Sequence, residues 1–306
     1  MVEHLIIDDE PELRDPTLIA AFAGWPDAGE VASGSMRYLL RKLRAKKFAS
    51  IEPEIFYNFT DVRPQTTLVR PGQREIRWPS NEFHYWRGND GMDLVLFLGR
   101  EPNLRWKTYV STFLALADQC GVQRLITLGG TFDSVPHTGE PRVSGAAMGR
   151  ALQSALETLS VRSSSYQGPT SIHSAVLDAC QRKGLAAGSL WGHAPHYLQA
   201  APNVKVCYGM LQKLAALLDL PLDLEEMRGA SHALELRVER LLADNTELRE
   251  YVRQLEASEA TRAEGRPAAP TEPVEIPSAE VVVQELEEFL RQEQHRRREE
   301  DGAPPA

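Results

Sequence analysis

Cysteine is scarce in this chain: three in 306 residues, Cys120, Cys180 and Cys207. They lie far apart, without the paired spacing of a metal site or a disulfide framework, so free thiols buried on helix faces in a reducing compartment are expected. Long apolar runs are missing as well. No stretch approaches the roughly 18 apolar residues of a membrane span. Asp8, Asp9, Glu10 and Glu12 stand where a secretory leader would be uncharged or basic. A cytoplasmic protein with no membrane partner is therefore expected. Basic charge is in deficit, with 34 Lys and Arg against 43 Asp and Glu for a net charge of −9. That balance excludes general affinity for phosphate backbones, and no nucleic-acid partner is expected. No serine sits in a Gly-x-Ser-x-Gly elbow and no cysteine sits in a reactive loop, which disfavours a familiar covalent hydrolase. Neither the Gly-x-x-x-x-Gly-Lys phosphate loop nor the dinucleotide Gly-x-Gly-x-x-Gly fingerprint is present. No cofactor is expected.

What is present is a hydrophobic fraction of 42% and a charged fraction of 25%, the balance of an ordinary globular chain with a full core. From residue 18 to about 218, short β-type runs alternate with amphipathic helical windows. Stripes at three-or-four spacing run through Val31, Ser35, Leu39 and Leu43, and through Trp106, Val110, Phe113 and Ala117. Others run through Met148, Leu152, Ala155 and Leu159, through Ile172, Val176 and Cys180, and through Cys207, Met210, Leu214 and Leu218. This alternation predicts an α/β fold: a three-layer, mainly parallel sheet flanked by helices, over residues 1–222. Thr170 or Ser171 is expected to cap the fourth helix and Gly184 to end it. Between 51 and 88, Arg63-Pro64 and Trp78-Pro79 break the text into short β-rich pieces, which fits an antiparallel insertion.

Four loops follow buried-strand runs and are crowded with Gly, Pro, His, Asp or Arg. They are Gly24-Trp25-Pro26-Asp27-Ala28-Gly29, Gly99-Arg100-Glu101-Pro102-Asn103, Gly129-Gly130-Thr131-Phe132-Asp133-Ser134-Val135-Pro136-His137-Thr138, and Gly192-His193-Ala194-Pro195-His196-Tyr197. If their strands are parallel, all four leave one carboxyl edge, where open α/β proteins bind ligands. The ligand-binding candidates are accordingly Gly24, Trp25, Asp27, Gly29, Arg100, Glu101, Gly129, Gly130, His137, His193, His196 and Tyr197. A helix starting near Ala28 would point free N–H groups at an anion, with Asp27 either a catalytic group or the cap of that helix. Arg100 and Glu101 offer an anion contact and a carboxylate, or a mutual salt bridge. The three histidines could handle protons, but a proline inside His-x-Pro-His argues against fixed metal-ligand spacing, and no metal is expected. No catalytic residue is identifiable.

From about residue 223 the text turns charged and helical, read as one helix over 223–257, a linker over 258–278, a second helix over 279–295 and a disordered tail over 296–306. Leu234, Leu241, Leu248 and Leu255 recur every seven residues, with Val238, Asn245 and Val252 between them. That series fits a parallel coiled coil between two chains, in which Asn245 fixes register and Asp244 meets Arg249 of the other chain. The alternative is a helical hairpin within one chain, because Leu236 and Leu242 widen the apolar stripe. The helix over 279–295 could supply the partner stripe for residues 234–255.

Taken together, Ala21-Phe22-Ala23-Gly24-Trp25-Pro26-Asp27-Ala28-Gly29, Arg63-Pro64, Trp78-Pro79 and Gly99-Arg100-Glu101-Pro102-Asn103-Leu104-Arg105-Trp106 resemble the proteasome assembly chaperone 2 family. The match continues through Val135-Pro136-His137-Thr138, Tyr166-Gln167-Gly168-Pro169 and Ser189-Leu190-Trp191-Gly192-His193-Ala194-Pro195-His196-Tyr197. The resemblance implies a three-layer α/β fold similar to nucleoside phosphorylases and peptidyl hydrolases, without their activity, and for some members assembly of the proteasome α-ring. Relatives often carry an arginine soon after Pro-His-Thr, where this chain has Gly139-Glu140-Pro141, so an anion site would use Arg142 or Arg100. The expectation is a self-associating, non-catalytic factor that binds a protein partner related to the proteasome. The alternative is a small-molecule enzyme or ligand sensor working at the carboxyl edge.

Overall fold

Alternate residues of a strand point to opposite faces of its sheet, so runs that are apolar at every position must be covered on both sides. The chain does this with a nine-stranded mixed sheet and helices on each face. The structure is a computed structural model and describes residues 3–70, 72–88, 92–163, 166–198, 202–243 and 245–263. In chain order the elements are β1 (Leu5–Ile7), β2 (Thr17–Ala23), α1 (Val31–Lys42), β3 (Lys46–Ile51), β4 (Gln65–Arg70), β5 (Gln73–Arg77) and β6 (Glu82–Arg87). Next come β7 (Asp93–Arg100), α2 (Trp106–Gln119), β8 (Arg124–Asp133), β9 (Val143–Ala147), α3 (Arg150–Thr158) and β10 (Arg162–Ser163). The described part closes with α4 (Ile172–Lys183), β11 (Ala186–Pro195), α5 (Val204–Leu218), α6 (Glu225–Ala243) and α7 (Thr246–Ala263).

The sheet order is β1-β3-β6-β7-β2-β8-β11-β9-β10. Its centre, β7-β2-β8-β11, is parallel throughout, while β1, β3, β6 and β9 join antiparallel at the flanks. The four loops named above therefore do leave one carboxyl edge. Ile19 and Ala21 of β2, with Leu94 and Leu96 of β7, pack under α1 and α5. Leu18, Ala20, Phe22, Val95 and Phe97 face the other way, against α2 and α4. The insertion between β3 and β6 is the antiparallel β4–β5 hairpin, a separate two-stranded sheet. Cys180 and Cys207 are buried free thiols and Cys120 is half-buried.

The charged carboxyl-terminal region differs from a single helix over 223–257. It is two helices, α6 and α7, that fold back on each other within one chain. Asn245, placed by the heptad in mid-helix, ends the repeat: its Oδ1 accepts from the Leu248 N–H at 3.0 Å and caps α7. Arg249 donates to the carbonyls of Leu242 and Ala243, closing the end of α6. Val238, Leu242, Leu248, Tyr251, Val252 and Leu255 are buried together with Tyr197 and Leu198, with Leu234 at the margin. The apolar stripe thus rests on the carboxyl edge of its own sheet. Helix α7 extends to Ala263; the remainder of the expected linker, the expected helix over 279–295, the tail over 296–306 and Asp244 lie outside the described residues, as does the side chain of Leu241.

Candidate functional site

The loop after β2 is built to receive its own carboxylate. Gly24 (φ 116°) and Gly29 (φ 59°) take the left-handed conformations that the turn demands. Between them Asp27 is buried, and its Oδ1 accepts from the N–H groups of Ala32 (2.8 Å) and Ser33 (3.0 Å). The helix terminus that could have held an external anion is filled by Asp27. Burial raises the Asp27 pKa to about 6, against the pull of those hydrogen bonds. Gly130 lies alongside: its N–H donates to the Pro26 carbonyl at 2.8 Å. A Cβ on Gly130 would sit 2.6 Å from the Ala28 carbonyl oxygen, so only glycine fits. Trp25 in this loop is 62% exposed.

In the loop after β7, Glu101 pairs with a helix and not with Arg100. Its N–H donates to the Ala23 carbonyl at 2.8 Å, and its Oε1 accepts from the Ile172 N–H at 2.8 Å. Ser171 makes no side-chain cap, so Glu101 caps α4 in its place. Burial raises the Glu101 pKa. The Arg100 side chain is exposed, while its N–H donates to Asn81 Oδ1 (3.1 Å) and its carbonyl accepts from the Tyr57 hydroxyl (2.6 Å).

The loops after β8 and β11 meet. Tyr197 accepts at its hydroxyl from the His137 N–H (2.8 Å) and lies 2.7 Å from His137 Nδ1, leaving the buried Nε2 without a partner among the described residues. Burial, assisted by the Lys205 ammonium, lowers the His137 pKa to about 4, which keeps the ring neutral. Lys205, in the first turn of α5, reaches inward to the His137 carbonyl and to Glu235 of α6. His193 is held on both ring nitrogens, Nδ1 at 2.8 Å from Asp133 Oδ2 and Nε2 at 2.8 Å from Ser144 Oγ. Burial works to raise the Asp133 pKa, but the hydrogen bond to His193 and the charges of His193 and Arg142 bring it down to about 2. His196 lies between the Asp133 carbonyl (3.3 Å) and the Tyr251 hydroxyl of α7 (3.2 Å).

Helices α6 and α7 roof this half of the edge. Besides Glu235 on Lys205, Glu256 accepts from Thr138 Oγ1 at 2.6 Å and Glu259 pairs with Arg142, which also holds Asp133 at 2.8 Å. Under the roof lies a cavity of about 200 Å³ touched by Val135, His137, Arg142, Lys205 and Glu235. Among the described residues no three His, Cys, Asp or Glu side chains gather as a metal site. The structure therefore brings His137, His193, His196 and Tyr197 together but places Asp27 and Glu101 in separate capping roles. Sequence patterns did not point to Lys205, Tyr251, Glu256 and Glu259. The signal that was available for Lys205 is a lysine in the first turn of an apolar helix, right after the Asn203 cap. His173 was missed too: it is buried between Phe22 and Trp191, and burial lowers its pKa to about 3.

The fold and this edge define an α/β protein in which the polar groups of the carboxyl-edge loops are spent largely on capping and on each other. The family model described as the PAC2 family matches residues 21–242, and the chain belongs to that family. A PAC2 family protein from Streptomyces avermitilis is 35% identical, with a TM-score of 0.71 over 78% of this chain and 100% of that one. A proteasome-assembly chaperone homologue from Mycobacterium tuberculosis is 32% identical, with a TM-score of 0.71 over 77% of this chain and 99% of that one. PbaB from Pyrococcus furiosus, an archaeal proteasome activator, shares the fold at 22% identity and a TM-score of 0.62, over 78% of this chain and 97% of that one. No curated protein matches the sequence. Among the described residues no helix is long and apolar enough to cross a membrane.

Proposed function

We propose that this chain is a non-catalytic, self-associating assembly factor that binds a proteasome-related protein through the open half of its carboxyl edge. The observation that carries this reading is a set of exposed apolar side chains at the carboxyl ends of neighbouring strands. Trp25, Leu104 and Phe132 are 62%, 50% and 41% exposed, in the loops after β2 and β7 and at the end of β8, three adjacent strands. Exposed apolar groups so grouped suit a protein interface, where buried Trp side chains dominate affinity. The Mycobacterium relative is a proteasome-assembly chaperone homologue, which favours a proteasome subunit as the partner. The carboxylates with the best claim to chemistry support a binding role, because Asp27 and Glu101 cap helices and Asp133 anchors His193 and Arg142.

A small-molecule sensor is the second reading, favoured by the unpartnered His137 Nε2 beside the roofed cavity. At about 200 Å³ that space falls short of the roughly 300–1,000 Å³ typical of ligand sites, and the groove of about 1030 Å³ beside it, along Lys205, Gln212 and Glu235, is wide open to solvent, so the protein-binding reading ranks first. The test is capture of purified proteasome α subunits by the full chain, compared with the Trp25→Ala/Leu104→Ala variant, alongside native mass spectrometry. A stable complex is expected, weakened about 30-fold or more in the variant without a change in folding, and a native mass above one subunit. Retention of a reproducible small molecule without α-subunit capture would replace this reading by the sensor.

A further inference from the structure

The β4–β5 hairpin carries an apolar face that nothing described covers. Its register pairs Thr66 with Ile76 and Leu68 with Arg74, which puts Leu68, Ile76 and Arg74 on one side of the ribbon and leaves Arg77, opposite Gln65, and Arg70, opposite Gln73, on the other. Leu68 and Ile76 are 57% and 55% exposed. Among the described residues the ribbon belongs to no larger sheet, and Trp78 at its base makes a ring contact with Phe59 of the body, centroids 4.9 Å apart. A lone two-stranded ribbon is marginal in water and needs a third strand or a packing partner on its apolar face. Its charge is also set apart. Arg63, Arg70, Arg74 and Arg77 stand against Glu75 alone, within a chain of net charge −9. None of the four arginines has an ion pair or hydrogen bond with a described side chain.

The chain contains a segment of opposite character. Residues 279–290 carry Glu280, Glu285, Glu287 and Glu288, no Lys or Arg, and the apolar set Val281, Val282, Val283, Leu286, Phe289 and Leu290. The stripe of α6 and α7 that could have received it is already packed on Tyr197 and Leu198. We propose that residues 279–290 dock on the Leu68–Ile76 face of the β4–β5 hairpin of the same chain, their glutamates meeting Arg74 on that face and drawn by the net positive charge of the ribbon. Residues 264–278 join the segment to the end of α7 and span up to roughly 50 Å when extended. Tethering at that length holds the segment at an effective concentration on the order of millimolar, which favours its own chain over a second copy. This proposal does not depend on which protein the carboxyl edge binds.

The test is hydrogen exchange of the full chain at low salt, followed at the amides of 65–70 and 73–77. It compares the native chain, the E280K/E285K/E287K/E288K variant, and that variant combined with R70E/R74E/R77E. The charge-reversed segment is expected to speed exchange in the hairpin at least tenfold, leave α4 and α5 as protected as before, and leave the native mass per assembly unchanged. The combined variant should restore protection. Equal exchange in the first two proteins, or no restoration in the third, overturns the contact. Loss of protection together with a fall in subunit number overturns docking within one chain and assigns the contact to a second copy.

Discussion

Asp27 shows how one residue type supports two readings until its neighbours are known. Its loop looked fit for an external anion, and the carboxylate of Asp27 holds that place against Ala32 and Ser33. Because burial raises its pKa to about 6, the folded chain holds this proton more tightly than the unfolded one. The stability it contributes is fully present below about pH 4 and is lost as pH rises through 6. Two pKa units correspond to about 3 kcal/mol as an upper figure. Asp27→Asn keeps an acceptor oxygen for the cap and cannot ionise, so it should flatten the stability profile between pH 4 and 6. His137 and His173, with pKa values lowered to about 4 and about 3, act with the opposite sign: each adds stability above pH 6.5 that is lost on acidification. Both are intact in the variant, so urea unfolding of the two proteins at pH 4.5 and pH 7 isolates Asp27. Equal pH slopes in both would show that Asp27 is not titrating in this window.

At the level of elements, the sequence carried most of what local periodicity can carry. The stripes through Val31, Trp106, Ile172 and Cys207 became α1, α2, α4 and α5, and the four Gly-rich loops do share an edge because their strands are parallel. What escaped depends on contacts between distant residues. Glu101 caps α4 from 71 positions away, and Asn81 gathers Tyr57, Tyr109 and the Arg100 N–H on one oxygen. The heptad was legible and its interruption was not, since asparagine suits both a coiled-coil a position and a helix cap. If Asn245 caps α7, Asn245→Ala should cost about 1 kcal/mol. Leu255→Ala, which empties a fully buried site, should cost about 2–5 kcal/mol. Amide exchange along α7 reads both effects, and a larger loss for Asn245→Ala than for Leu255→Ala would contradict the packing described.

For the molecule as a whole, the question is whether α7 belongs to the body or is added to it. The family match ends at residue 242, just before α7 begins at Thr246, and the Streptomyces relative is covered along its full length by 78% of this chain. Yet α7 buries Leu248, Tyr251, Val252 and Leu255 and supplies partners to Thr138, Arg142 and His196. Burial of each such apolar side chain stabilises by about 1.5–3 kcal/mol, so its removal should be felt without erasing the sheet, whose two-sided core lies elsewhere. Deleting residues 244–306 is expected to leave a folded α/β body with a lowered Tm. Exchange should quicken around Tyr197, Leu198, Val238 and Leu242, and a hydrophobic dye should bind. Strands β2, β7 and β8 should keep their amide protection in the same protein. Collapse of that protection along with the loss of α7 would make the helix a structural part of the body, and the division between the 1–222 unit and the helical region beyond it would fail.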